Sequence, residues 1–207
     1  MTHKTGFFAA LFSAVAWSTT GIFVRFLNGF SSLEIVAGRC LIGLLFIVLF
    51  FGFRHPGLSK KILISKQAWF LGLLMAGYFL LVVTAYQIAP VAEVAILTNT
   101  TPLFAIFYKR LKGLLITSKQ VWGVLLGMIG VILVVISGTS SNPDSANSLH
   151  LIGDLMALIA GAAMAIYSIF YNTISLVKKP SSQVATFFTF LIGSLVSLFI
   201  IGMSDEM

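Results

Sequence analysis

Long apolar runs alternate with short polar connections along the chain. Seven runs approach the ~20 residues that a helix needs to cross the hydrocarbon of a bilayer. They cover Gly6–Leu27, Leu33–Phe53, Ala68–Ile88, Val91–Leu111, Val121–Ser137, Leu151–Ile174 and Val184–Ile201. No period-two alternation accompanies them, which argues against an outer-membrane barrel. The pattern predicts an all-α integral membrane protein, a polytopic bundle with seven transmembrane helices.

The fourth run departs from a plain apolar span. It carries Glu93 near one end and four consecutive polar residues, Thr98, Asn99, Thr100 and Thr101, at its middle, followed by Pro102. Successive helical residues are about 100° apart, so four in a row occupy every side at that depth. Polar side chains in hydrocarbon face a bundle interior or a water-filled cavity. Pro102 has no N–H, so the Thr98 carbonyl must find a side chain, water or ligand. Thr98 to Thr101 are therefore candidates to line a pathway at the membrane midplane, with Pro102 as a helix kink. The alternative is that such hydroxyls bond only to neighbouring helices or to their own backbone.

Composition agrees with the pattern. Of 207 residues, 58% are hydrophobic and 9% charged, too few to cover a soluble globule. The net charge of +7 and pI near 9.8 do not indicate nucleic acid, because the basic residues sit in short clusters between runs. Eleven of the thirteen fall at the amino end or in the connections after runs 2, 4 and 6; the exceptions are Arg25 and Arg39. The positive-inside rule makes that side cytoplasmic, with the amino terminus inside and the protein multi-pass in the cytoplasmic membrane. Ala14-Val15-Ala16 looks like a signal-peptidase site, but the apolar run continues to Leu27, so the first span is read as uncleaved. The single cysteine, Cys40, is read as a packing residue, and no metal or cofactor spacing is present.

Further candidates follow from depth. Arg39 lies about 9 Å into run 2, where a charge is a functional candidate by default; snorkelling or a structural ion pair is the alternative. Glu93 lies at similar depth in run 4. It could pair with Arg39, bind an amine or carry a proton; equally it could serve as an acidic residue at a helix start after Pro90. Trp17 and Tyr78 sit near midplane, where cavity lining and core packing are both consistent with the pattern. Gly123, Gly127 and Gly130 in run 5 read as close helix packing. Glu34, Asp154, Arg25, Asp144, Asp205 and Glu206 read as solvated.

Runs 6 and 7 align with runs 1 and 2, Gly153 on Gly6 and Leu191-Ile192-Gly193 on Leu41-Ile42-Gly43. The implied unit has five helices, which inverts the second copy in the membrane. Residues 1–140 would form the first unit and 149–207 two helices of a second, with three further spans outside the sequence.

Gly6 through Trp17, Arg39, Ala-Pro-Val-Ala-Glu with Thr-Pro-Leu-Phe in run 4, and the glycine-spaced run 5 together resemble the drug/metabolite transporter superfamily, EamA type. The chain departs from that pattern at Gly113-Leu114-Leu115, where an acidic residue often follows the glycine, and in lacking spans 8–10. The resemblance implies a ten-helix architecture of two inverted five-helix units that carries small metabolites or drugs by alternating access. The implied site is at midplane between helices 1, 2, 3 and 4. The partners expected are a small-molecule substrate, a coupling proton or ion, the lipid bilayer, and a homo-oligomeric or complementing chain; nucleic acid and cofactors are not. An inactive or partner-requiring fragment is the alternative. An intramembrane enzyme fits less well, because the runs hold no paired acids and His3, His55 and His150 sit at ends or in connections.

Overall fold

The computed structural model describes residues 3–49, 66–113, 115–139, 148–174 and 182–205, and every regular element among them is helical. The helices are α1 (His3–Ser18), α2 (Thr20–Phe26), α3 (Ser32–Ile47), α4 (Lys66–Ile88), α5 (Val91–Thr98), α6 (Thr101–Leu111), α7 (Ser118–Thr139), α8 (Ser148–Thr173) and α9 (Ser182–Asp205). Five segments are long and apolar enough to cross a membrane: Gly6–Phe26, Lys66–Ile88, Val91–Leu111, Leu149–Thr173 and Ser182–Met203. Two further apolar helices, α3 and α7, correspond to runs 2 and 5. The end of run 2, the basic residues Arg54, Lys60, Lys61, Lys178 and Lys179, and Asp144 with Glu206 lie outside the described residues.

Two runs expected as single helices are each built from two. In the first, the Ser18 hydroxyl donates to the Val15 carbonyl at 2.7 Å and the Thr19 hydroxyl to the Ala16 carbonyl at 2.8 Å. Hydroxyls that return to the preceding turn compete with the helical ladder, and α1 gives way to α2 at Thr19. In the fourth, the break falls at Asn99–Thr100, ahead of Pro102 rather than at it. Proline is tolerated in the first turn of a helix, where its missing N–H has no partner to lose, and Pro102 occupies that place in α6.

α3 opens with a reciprocal cap. The Ser31 N–H donates to a Glu34 carboxylate oxygen at 2.6 Å, and the Glu34 N–H to the Ser31 hydroxyl at 3.3 Å. α6 closes at Gly113, whose φ of 66° is the left-handed conformation that glycine adopts without a Cβ penalty.

α4 is the central helix. Much of α4 is buried, whereas the described side chains of the first span are mostly exposed. Met75, Phe79, Val82, Val83 and Tyr86 of α4 form one core with Val36 and Cys40 of α3, Val94 of α5, and Ala157 and Ala160 of α8. A second cluster joins Ala68 and Ala76 to Phe188 and Ile192 of α9. Cys40 is a buried free thiol.

One end of the bundle gathers the ends of α2 and α4 and the starts of α3, α5 and α8. The Arg25 guanidinium donates to the Ala89 carbonyl at 2.5 Å. The Gln87 amide donates to the Phe30 carbonyl at 2.9 Å, and the Ser32 hydroxyl donates to the Gln87 side-chain oxygen at 2.5 Å. Gly153 of α8 packs against Ala89. Arg25 is thus half-buried and tethered, not solvated as its position at a run end suggested.

The backbones of α4 and α9 approach most closely at Gly72, where a β-carbon would lie 2.8 Å from the Phe188 carbonyl oxygen. A β-carbon at Gly77, on the same helix, would meet nothing within 4 Å. Gly72→Ala should therefore destabilise by about 1–3 kcal/mol, because backbone cannot rotate away as a side chain can. The melting temperature in detergent should fall by about 2–4 °C per kcal/mol. Gly77→Ala should hold or raise it, since alanine favours helix. Equal melting of the two variants would show that the α4–α9 contact is not tight.

Candidate functional site

Two places in the bundle concentrate polar chemistry. The first is a cavity of about 550 Å³ between the α1–α2 break, α3 and Val83 of α4. Thr19, Thr20, Glu34 and Arg39 supply its polar wall, and Phe23, Val24, Leu27, Ile35 and Ile42 much of the rest. Arg39 is seven residues beyond Ser32, about 10 Å along the helix. Its guanidinium carbon lies 4.6 Å from the Phe79 ring centre and 5.5 Å from that of Trp17. Such cation–π contacts contribute about 0.5–2 kcal/mol each, more where water is excluded. Trp17 in turn stands 6.1 Å from Tyr78 and 6.3 Å from Phe79. Tyr78 is buried in the core and does not line the cavity.

The second place is the break in the fourth run. At the end of α5 the helix tightens, with the Asn99 N–H reaching the Ala95 and Ile96 carbonyls and the Thr100 N–H the Leu97 carbonyl, and the polar side chains add further donors. The Thr98 hydroxyl reaches the Val94 and Ala95 carbonyls at 2.8 and 3.1 Å, and the Asn99 amide reaches Ala95 at 2.6 Å. The Thr100 hydroxyl donates to Leu97 at 2.6 Å. The Thr101 hydroxyl lies 3.1 Å from both the Thr98 carbonyl, the one that Pro102 cannot serve, and the Gly161 carbonyl of α8. Gly161 makes this approach feasible: a β-carbon there would lie 3.0 Å from the Leu97 carbonyl oxygen and the Thr100 hydroxyl.

The hydroxyl protons of the belt are thus directed to backbone. What it offers a ligand is concentrated on Asn99 and Thr100, which with Pro102, Leu103, Gly123 and Gly127 border a cavity of about 220 Å³. No atom of the described residues comes within 4 Å of a β-carbon built at Gly123, Gly127 or Gly130. The close helix approach expected at these glycines is therefore absent among the described residues, and space takes its place.

The structure separates Arg39 from Glu93. Arg39 has no ion-pair partner among the described residues; its electrostatic neighbours are Cys40, Tyr78 and Tyr86. Glu93 faces Asp154 and His150 of α8 instead. Asp154 and His150 each bury a side-chain atom, Oδ1 and Nδ1, that makes no hydrogen bond. Asp154 is half-buried, unlike its expected solvated state, whereas Glu34 is exposed at its cap. Among the described residues no group of three His, Cys, Asp or Glu side chains could hold a metal.

Four functional neighbours escaped the sequence reading. Phe79 lies under Arg39 but looks like any core aromatic. Tyr86, in the core against α5, is an electrostatic neighbour of Arg39 and Thr98. Gly161 lies within Ala160-Gly161-Ala162-Ala163, a small-residue run that marks a close approach. Asp154, one turn into an apolar run, signals its own depth.

The profile of the EamA-like transporter family matches residues 4–136. The chain belongs to that family. It is a multi-pass membrane transporter of small molecules, in a family whose members are transporters and not enzymes. No curated protein and no solved structure gives a significant match. The EamA-like segment ends within α7, so it contains both helix breaks, Arg39, Glu93 and the polar belt.

If the Thr101 hydroxyl ties the break to α8, Thr101→Val removes its single donor, shared between two carbonyls, at nearly constant volume. At about 1 kcal/mol the variant should melt about 2–4 °C lower. Amide exchange around 98–104 should accelerate, because the broken segment loses its anchor. Unchanged melting together with unchanged exchange would show that the tether contributes nothing.

Proposed function

We propose that the protein is a secondary carrier working by alternating access, with the Arg39 cavity as its substrate site. The observation that carries this reading is a charge within an apolar segment, unpaired among the described residues, bordering a cavity of about 550 Å³. That volume is in the range of small-molecule sites. Thr19 and Thr20 flank the same space, and Trp17 and Phe79 hold the Arg39 guanidinium beside it. The broken fourth span supports the reading, because transporters build their sites and moving parts from discontinuous helices. Asn99 and Thr100 would line the inner continuation of the pathway, beside the smaller cavity.

Residues 1–140 would form a first five-helix unit and 149–207 two helices of an inverted second one. The amino terminus would face the cytoplasm and the bilayer would be the cytoplasmic membrane, as the basic clusters indicate. A second copy or a complementing chain is also supported, by the glycines of α7 that no described helix covers.

Glu93 is the proposed coupling group. It stands with Asp154 and His150 where spans 3, 4 and 6 meet, so a proton gained or lost there changes the charge of a helix junction. Uptake into proteoliposomes, screened over small solutes with and without a proton gradient, tests the carrier. If no solute moves under any gradient, the reading fails for this chain. Glu93→Gln fixes the side chain in its neutral form, so uptake should become indifferent to the gradient while substrate binding persists. Gradient dependence equal to that of the unmodified protein would remove Glu93 as the coupling group.

A further inference from the structure

We infer that the Arg39 cavity selects a small monoanion with an apolar or aromatic body, of which an arylalkyl carboxylate is the simplest case. The inference rests on the carrier reading for its biological use and on the geometry of the cavity for its chemistry.

Two charged side chains border the space, Arg39 and Glu34. Glu34 is already engaged: its carboxylate accepts the Ser31 N–H at 2.6 Å as part of the cap that starts α3. It sits at the exposed end of the helix, five residues before Arg39. Arg39 makes neither a hydrogen bond nor an ion pair with a described residue. Its contacts are with the rings of Phe79 and Trp17. A cation–π contact with a ring face uses the charge and gives the N–H groups no acceptor. The fork that matches a carboxylate therefore remains available, in surroundings where a charge-assisted hydrogen bond is strong.

The remaining wall decides the rest of the ligand. Phe23, Val24, Leu27, Ile35, Ile42 and Val83 offer apolar surface. Thr19 directs its hydroxyl proton to the Ala16 carbonyl at 2.8 Å, so it can only accept from a ligand. A cationic ligand would meet the guanidinium, since Glu34, the carboxylate on that wall, lies at the exposed end of α3 and serves its cap. A neutral ligand would leave the N–H fork unpaired, which is costly once water is excluded. An anion with an apolar remainder leaves neither defect.

Binding to the purified full chain in detergent tests this. With Trp69→Phe and Trp122→Phe, Trp17 is the sole remaining tryptophan, and it lies beside Arg39. The probes are 3-phenylpropionate, 3-phenylpropan-1-ol and 3-phenylpropylamine, which share a body and differ in charge. Trp17 emission should change saturably with the carboxylate, at a Kd about tenfold or more below that of the alcohol, with the amine weakest. Arg39→Gln should raise the carboxylate Kd about tenfold and leave the alcohol unchanged, and Arg39→Lys should restore part of the loss. Equal affinity for the carboxylate and the alcohol, preference for the amine, or no binding of any probe overturns the inference. That comparison uses the unsubstituted Arg39 and so holds even if a variant at Arg39 fails to fold. The carrier reading is judged separately, by flux in proteoliposomes. Carboxylate binding without flux of any solute sinks the carrier and leaves the anion site, whereas flux of amines alone does the reverse.

Discussion

A backbone polar group in hydrocarbon has no water to turn to, and the centre of the structure follows from that constraint. At Asn99–Thr100 the fourth span tightens, and Pro102 leaves the Thr98 carbonyl without its helical donor. The Thr101 hydroxyl serves that carbonyl, while Thr98 and Asn99 both add to Ala95 and Thr100 adds to Leu97, carbonyls that keep backbone donors. The glycine at 161 completes the arrangement by letting the backbone of α8 lie against the break. Sequence, local structure and packing here have one cause: the carbonyls at the interruption are served by its own backbone and side chains.

The second constraint is charge. A guanidinium inside a span needs either an anion or a polarisable surface. Arg39 takes the second solution, with Phe79 and Trp17 at 4.6 and 5.5 Å. The acidic residue expected beside it belongs to another junction, with Asp154 and His150. Separating the two matters functionally. A buried Arg–Glu pair would neutralise itself and give a ligand little to bind, whereas an arginine held by rings keeps its hydrogen-bonding edge. The Glu93 junction can then change protonation without altering the charge at the Arg39 cavity directly.

Much of the fold was readable because bilayer thickness sets helix length, and a run of apolar residues reports length well. The family resemblance rested on Arg39, the Ala-Pro-Val-Ala-Glu segment and the glycines of run 5, all within the matched residues. The breaks were less readable. The polar belt was visible, but the proline was expected to mark the bend itself. Proline fits a first helical turn better than an interior, so it marks the restart and the break precedes it. The partners of Arg39 and Glu93 were not readable. They depend on how each helix is rotated about its axis, and helices apolar on all sides carry little periodicity to encode rotation. The α7 glycines were misread for a related reason: small residues permit close packing but do not supply the helix that would pack.

The distribution of close contacts bears on what could move. Gly72 brings α9 onto α4, and Gly193 brings it onto Cys40 of α3, where a β-carbon would lie 2.6 Å from the sulfur. Gly161 and Gly153 bring α8 onto the broken span and onto the turn that precedes it. α4 packs more extensively on α8 than on any other helix, and Gly153 sets α8 against Ile88 and the Ala89 backbone, so α4 joins α3 and α9 to α8. Side-chain contacts can slide or change rotamer, whereas backbone contacts at glycine allow no such adjustment. Under an alternating-access cycle, α4, α8 and α9 would therefore move together.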